Sequence, residues 1–274
     1  MTYGQELVHL VDATYASRHK EGLRTHLGAS VIGESCLRAV WYGWRWVARE
    51  EFEGRMLRLF AHGDSEEGRF SDLLRAVGAT VWTADKNGKQ FRVSAFGGHF
   101  GGSLDGVAVG LPNLGSTPIL LEFKTHNDKS FKKLLASGVQ VSKLRHYRQA
   151  QVYMGLMGLS QCLYCAVNKN DEELYFELFK WDPQVTQFMM ARAQTVIFAD
   201  TPPPKISNSP AWFECRFCAM RGVCHAGGAP KQSCRTCQHA RPSVDGQWLC
   251  RANRTEIQLQ PELGCSQYQK LGSL

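Results

Sequence analysis

The segments Gly102-Ser103-Leu104-Asp105-Gly106 and Leu120-Leu121-Glu122-Phe123-Lys124 set an aspartate and a Glu-x-Lys inside runs of otherwise small or apolar residues. On a β-strand successive side chains alternate between faces, so Glu122 and Lys124 share one side while Leu121 and Phe123 take the other. Charges on so apolar a strand are costly unless they are paired or coordinate a metal. With Asp105 on a neighbouring strand, two carboxylates offer hard oxygen ligands of the kind Mg²⁺ or Mn²⁺ takes. An ion held there can polarise a phosphodiester and lower the pKa of a bound water, with Lys124 placing that water or neutralising the developing charge. A Glu-x-Lys is also a common solvated ion pair, so the surrounding residues decide between the two readings.

Those residues need a scaffold. Apolar spacing (Met56, Leu59, Phe60, Phe70, Leu73, Leu74, Val77) predicts a helix over about Arg55 to Val77 that carries His62, with Glu66 one turn on. Strands are expected around 79–84, 90–96, 102–110 and 118–126, punctuated by turn signals such as Asn87-Gly88. A helix over about Ser142 to Leu159 places Gln149 and Tyr153 one turn apart on one face. Strands at about 161–168 and 173–181 and a helix from Gln184 to Ala199 follow, until Thr201-Pro202-Pro203-Pro204 stops the helix. Near the start, Ser35 to Arg49 reads as a helix with an aromatic face. This order predicts an α/β core with a central mixed sheet flanked by helices.

His62 on a helix before the sheet, Asp105, Glu122 with Lys124, and Gln149-x-x-x-Tyr153 on the next helix stand in the order found in the PD-(D/E)xK nuclease superfamily. The sequence resembles its RecB-type exonuclease branch. The resemblance implies a restriction-endonuclease-like core. In it His62, Asp105, Glu122 and the main-chain carbonyl of Phe123 hold Mg²⁺ or Mn²⁺, Lys124 is catalytic, and Gln149 and Tyr153 hold the scissile strand.

The chain has ten cysteines among 274 residues. Its opening residues show no basic region followed by an apolar one, and no stretch reaches the roughly 18 apolar residues of a membrane helix. A cytoplasmic protein is therefore expected, and in that reducing compartment metal ligation is the better reading of the thiols than disulfides. Cys215-x2-Cys218-x5-Cys224 supplies three soft ligands and Cys36 a candidate fourth. In the iron–sulfur subgroup of RecB-type nucleases, which includes the AddB nuclease domain and CRISPR-associated nucleases, one cysteine precedes the core and three follow it. That resemblance implies a [4Fe-4S] cluster. Zinc on the same thiolates, or on the last three with His225, is the alternative. Cys234, Cys237, Cys250 and Cys265 read as a zinc ribbon, with His239 as a substitute ligand, because the segment is too short for its own core. Cys162 and Cys165 fall on a strand, where positions three apart face opposite ways, and are expected to be buried structural thiols.

The expected organisation is a nuclease domain over 1–228, closed by a centre joining Cys36 to 215–224, and a metal-bound ribbon over 229–274. A formal charge of +7 fits a polyanionic partner, although thiolate ligation would cancel much of it. Local basic residues carry the argument: Lys129, Lys132, Lys133, Lys143, Arg145 and Arg148, interleaved with Phe131, His146 and Tyr147 as faces for unpaired bases. Arg38, Tyr42 and Trp44 are expected to pack around and shield the cluster, with DNA contact as the alternative. The reading is a metal-dependent DNA exonuclease acting on single-stranded or free ends in recombination, repair or end processing. Without a Walker-type motif, unwinding would come from a helicase, annealing or single-strand-binding partner. An endonuclease of the same fold and a non-catalytic nucleic-acid-binding protein are the alternatives.

Overall fold

The computed structural model describes residues 1–18, 23–48, 51–257 and 265–272. Arg49 and Gly264, which border two of the expected elements, lie outside them. In chain order come α1 (Tyr3–Arg18), β1 (Leu27–Gly28), α2 (Ala29–Ile32), α3 (Leu37–Trp44) and α4 (Gly54–Ala76). Next are β2 (Thr80–Trp82), β3 (Arg92–Ala95), β4 (Phe100–Ser103), β5 (Gly106–Val109) and β6 (Ile119–His126). Then follow α5 (Asp128–Ser142), α6 (Leu144–Met157), β7 (Gln161–Asn168), β8 (Leu174–Lys180) and α7 (Pro183–Phe198). The last elements are α8 (Phe213–Arg216), α9 (Arg221–Ala226), β9 (Ala240–Pro242), β10 (Trp248–Cys250) and β11 (Thr255–Glu256). Among the described residues no helix is long and apolar enough to cross a membrane.

These elements form two compact units interleaved in sequence. The first comprises Met1–Gly22, Glu51–Arg92 and Ser103–Asp182; the second comprises Leu23–Glu50, Val93–Gly102 and Pro183–Leu274. The segment expected to stand apart from residue 229 onward thus belongs with 23–50, 93–102 and 183–228.

The first unit is built on a five-stranded mixed sheet in the order β2-β5-β6-β7-β8. All neighbours are antiparallel except β6 and β7, which run parallel. A parallel pair needs a crossover, and here α5 and α6 supply it. The long predicted helix before the sheet is α4, whose Phe70 and Leu74 pack on the face carrying Leu121, Phe123, Cys165 and Val167. Phe70 stacks on Phe123 with ring centroids 5.2 Å apart and planes 16° from parallel. The first residue of α4 must be glycine, because a Cβ on Gly54 would stand 2.2 Å from the Asp12 carbonyl oxygen of α1. Helix α6 ends at Gly158, which adopts the left-handed conformation with φ 69°.

Three expectations are corrected. The predicted strand 102–110 is two strands, β4 and β5, with Leu104 and Asp105 in the break. The predicted strand 90–96 shortens to β3, which belongs to a separate three-stranded sheet, β1-β4-β3. The basic segment after the Glu-x-Lys strand is a helix, α5, on which Phe131 is fully buried; Tyr147 on α6 is buried too, so neither offers a face to unpaired bases. Cys162 and Cys165 both lie buried on β7.

The second unit has an unusual centre. The guanidinium of Arg235, fully buried, lies 4.3, 4.1 and 4.8 Å from the ring centroids of Trp44, Trp46 and Trp248. It donates to the carbonyls of Trp44 (2.8 Å) and Thr25. Arg45, equally buried, lies over Trp41 and Trp248 and donates to the carbonyls of Ala199 and Ala240. Near the C-terminus β9, β10 and β11 make a small antiparallel sheet.

Because Phe70 is the aromatic through which α4 grips the sheet, Phe70→Ala should destabilise the protein by about 3–5 kcal/mol. Urea unfolding followed by far-UV circular dichroism measures this, and a loss under about 1 kcal/mol would show that α4 is held elsewhere.

Candidate active site

Strand β6 alternates as expected: Glu122 and Lys124 rise on one face, and Phe123 turns to α4 on the other. Glu122 is 0% exposed, so its charge has to be met from within the protein. Lys124 Nζ lies 2.6 Å from Glu122 Oε1 and 3.5 Å from Asp105 Oδ2, and donates to the Phe123 carbonyl at 2.8 Å. Asp105 Oδ2 also accepts the Phe123 N–H at 2.7 Å, so the break between β4 and β5 aims the aspartate at β6. Helix α6 closes the face. Gln149 Nε2 donates at 3.4 Å both to Glu122 Oε2 and to the Tyr153 hydroxyl. Gln149 and Tyr153 are buried, so in this arrangement they brace the Glu122 carboxylate.

A further carboxylate joins the group that the sequence reading did not single out. Glu67 on α4 interacts electrostatically with Asp105, Lys124 and Glu122. Burial, and then the Asp105 charge, push Glu67 up to about 7 although Lys124 pulls it down. Burial likewise raises Glu122 to about 7 against the opposing pull of Lys124, with Asp105 adding to the rise. Burial works against the Lys124 ammonium, but Asp105 and Glu122 together hold it above the ordinary lysine range. His62, expected at this site, is exposed on α4, and Glu67 is the α4 group that enters the electrostatics of the three charges. Glu66, the neighbour of Glu67, is buried and paired with Arg69 at 3.0 Å.

With all three carboxylates ionised, one ammonium leaves a net charge of −2, which protons on Glu67 and Glu122 neutralise in the metal-free chain and one divalent cation would neutralise in their place. Glu122 Oε1 is paired with the ammonium at 2.6 Å, and a carboxylate oxygen has a second lone pair that can face a cation. The donor set therefore fits Mg²⁺ or Mn²⁺ in chemistry and charge. As the side chains stand, no three His, Cys, Asp or Glu among the described residues are gathered as ligands of one ion, and Lys124 Nζ occupies the space the carboxylates share.

Of the basic residues expected to meet a strand, Lys129, Lys132 and Lys133 are exposed on α5, with Lys132 paired to Asp128 at 2.9 Å. Lys143 is half-buried and donates to Ser130. Arg145 is exposed and Arg148 half-buried on α6.

The two cysteine sets both lie in the second unit. Cys36, just before α3, and Cys215, Cys218 and Cys224 on or beside α8 and α9 line one cavity of about 580 Å³. Arg38, Tyr42 and Trp44 line it too, with Arg38 Nε donating to the Pro203 carbonyl at 2.6 Å. Burial pushes the Cys215 and Cys218 thiols up, and the neighbouring cysteines raise both further. Cys234, Cys237, Cys250 and Cys265, with His239, line a separate void of about 30 Å³. Burial and the other three thiols of that set raise Cys234.

No protein-family model matches the sequence, and no curated protein matches it. Among solved structures the chain is similar to the crystal structure of SSO0001, at 13% identity and a TM-score of 0.43, covering 81% of this chain and 96% of that one. It is also similar to LHK-Exo in complex with dAMP, at 14% identity and a TM-score of 0.43, covering 66% of this chain and 88% of that one. The alkaline exonuclease LHK-Exo from Laribacter hongkongensis is matched at 14% identity and a TM-score of 0.42, over 68% and 89%. These likenesses are distant.

The charge cluster has a pH signature. Glu67 and Glu122 hold their protons to about pH 7 in the folded chain but release them near pH 4.3 when unfolded. Between those values the native state binds more protons, so the metal-free protein should lose stability as pH rises from about 4.5 to about 7 and level off above. Glu67→Gln should flatten that slope and leave the metal-free variant more stable than wild type at pH 8, on the order of 1–2 kcal/mol. Urea midpoints across pH 4.5–8 in EDTA measure it; an unchanged slope would place Glu67 outside the cluster.

Proposed function

We propose that the chain is a divalent-metal-dependent DNA exonuclease of the RecB type, acting on single-stranded or free DNA ends in recombination, repair or end processing. The observation that carries this reading is the group formed by Asp105, Glu122, Lys124 and Glu67. It is an acid-rich group with one lysine, whose three carboxylates, once ionised, exceed that lysine by the charge of one divalent ion. Mg²⁺ or Mn²⁺ bound there would polarise the scissile phosphate and supply a nucleophilic water at neutral pH. Asp105, Glu122 and the Phe123 carbonyl are the residues that would hold it, with Glu67 in place of, or beside, the expected His62. Lys124, released from the carboxylates it bridges, places the attacking water or neutralises the charge gathering on the phosphate. Gln149 and Tyr153 keep Glu122 aimed. The exposed Lys129, Lys132 and Lys133 draw in the phosphate backbone.

The two cysteine sets line separate cavities. One cysteine before the core and the Cys215-x2-Cys218-x5-Cys224 spacing after it support [4Fe-4S] over zinc at the first set. The void among Cys234, Cys237, Cys250 and Cys265 is of single-ion size, which favours a zinc ribbon. Both centres are structural in this reading, and the protein works in the cytoplasm beside a helicase, annealing or single-strand-binding partner.

End-labelled linear and covalently closed circular DNA, incubated with Mg²⁺, Mn²⁺ or EDTA, test the catalytic reading. Linear DNA should be shortened with either metal and left intact in EDTA, circles should survive, and Lys124→Ala should slow the loss about a hundredfold or more. Metal-independent loss, or equal loss in the variant, would sink it; cut circles would make the enzyme an endonuclease. Anaerobically purified protein should be brown and contain iron and zinc by elemental analysis, whereas colourless protein holding zinc alone would refute the cluster.

A further inference from the structure

The polar face of β6 does not end at Lys124. His126, two residues on, points the same way, and on the parallel strand β7 Tyr164 stands opposite Glu122. Helix α6 contributes His146 to the stripe that also carries Gln149 and Tyr153. The Tyr164 hydroxyl lies 2.9 Å from His126 Nε2 and 2.9 Å from His146 Nδ1, with each imidazole plane within 23° of the phenol ring. His126 Nδ1 lies 3.2 Å from Ser130 Oγ, and Lys143 Nζ donates to that oxygen at 2.6 Å and to the Ser130 carbonyl at 2.9 Å. Five side chains from β6, α5, the turn into α6, α6 and β7 thus form one hydrogen-bonded chain inside the first unit.

The chain has a direction. An ammonium can only donate, so Ser130 Oγ accepts from Lys143. A hydroxyl oxygen accepts twice, and a His126 Nδ1–H donating to it as well would leave the Ser130 proton without an acceptor; the order that pairs this proton sends it to His126 Nδ1. His126 then carries its proton on Nε2 and donates to the Tyr164 oxygen. Tyr164 in turn gives its single proton to His146 Nδ1. His146 is left as the Nε2–H tautomer, the opposite end of the chain from Lys143. Both imidazoles stay neutral. Burial, then Lys143 and Lys124, push His126 down to about 4. Burial, then Lys124, Arg145, His126 and Lys143, push His146 lower still.

We propose that His146 is a phosphate-binding residue whose Nε2–H, held in that tautomer by Lys143, Ser130, His126 and Tyr164, donates to a nonbridging oxygen of a nucleic-acid phosphate seated beside Lys124. His146 is the residue that touches the ligand; Tyr164 and His126 are positioning residues. A neutral donor suits the place. It grips a phosphate without adding a positive charge that would oppose a divalent cation at Asp105 and Glu122. The identity of the ligand rests on the nuclease reading, whereas the tautomer does not.

Two measurements on the full chain separate these. In long-range ¹⁵N–¹H spectra of histidine-labelled protein at pH 7.5, His126 and His146 should both be neutral Nε2–H tautomers. Tyr164→Phe should leave His126 neutral and mix the His146 tautomers. A charged His146, or one protonated on Nδ1 in wild type, overturns the proposal whatever the variants do. Binding of a fluorescently labelled single-stranded oligothymidylate in Ca²⁺ should weaken about tenfold in His146→Phe, the loss expected for one hydrogen bond to a charged group. His146→Gln, whose amide keeps a donor, should recover most of it. If wild type binds the oligonucleotide and His146→Phe binds it equally well, this inference fails alone; if wild type binds none, the nuclease reading falls and takes the ligand with it.

Discussion

A carboxylate sealed from water at the centre of a sheet is the constraint around which the first unit is arranged. Stripping an ion of its hydration costs several kcal/mol even after the protein relaxes, so Glu122 has to be answered from every side. Lys124 answers from its own strand, and Gln149 from the helix above. Asp105 turns back to take the Phe123 N–H and so ties the strand break to the same spot. The parallel pairing of β6 with β7 is part of this arrangement, because it obliges the chain to cross over and the crossover lays α6 on the polar face. On the opposite face Phe123, Phe70 and their neighbours make an ordinary apolar core. One strand therefore carries a dry core on one side and the paired charges on the other.

The second unit buries cations instead. Arg45 and Arg235 lie among four tryptophans, their charges spread over aromatic faces and main-chain carbonyls. Burial lowers both guanidinium groups, Arg45 to about 10. A lysine could not substitute, since stacking and forked donation both need the planar guanidinium. Through these contacts the segment around Trp44 is held to Arg235 and Trp248. The same framework presents Cys36 to the cavity it shares with Cys215, Cys218 and Cys224.

Much of the site could be read from residue order, because strand alternation and helical spacing are local rules. Glu122 and Lys124 share a face for that reason, and Gln149 and Tyr153 meet because they are one turn apart. Glu67 was hidden by its neighbour: Glu66 and Glu67 are adjacent on α4, and nothing in the apolar spacing says which one turns towards Asp105 and which pairs with Arg69. Helix α5 was hidden by its lysines. Its signals were present, with Asn127 capping Ser130 N–H and Phe131 and Leu134 at helical spacing, but Gly138 at φ 68° breaks the pattern. Helix α1 buries no residue and so left no apolar stripe to read. The interleaving of the two units is a matter of long-range pairing, which local patterns do not encode.

That interleaving bears on how the protein is made. The sheet of the first unit is complete once residue 180 has been synthesised, whereas the second unit draws together 23–50, 93–102 and everything after 183. Arg45 finds the carbonyl of Arg235 only 190 residues later in the chain. At usual translation speeds of about 5–20 residues per second, the tryptophan-rich segment near the start waits roughly 10–40 s for its partners. During that interval Trp41, Trp44 and Trp46 are apolar surface without a core, the kind of segment chaperones hold. The order of synthesis thus favours a nascent protein whose sheet, with Asp105, Glu122 and Lys124 in place, forms before the cysteines of the second unit can come together.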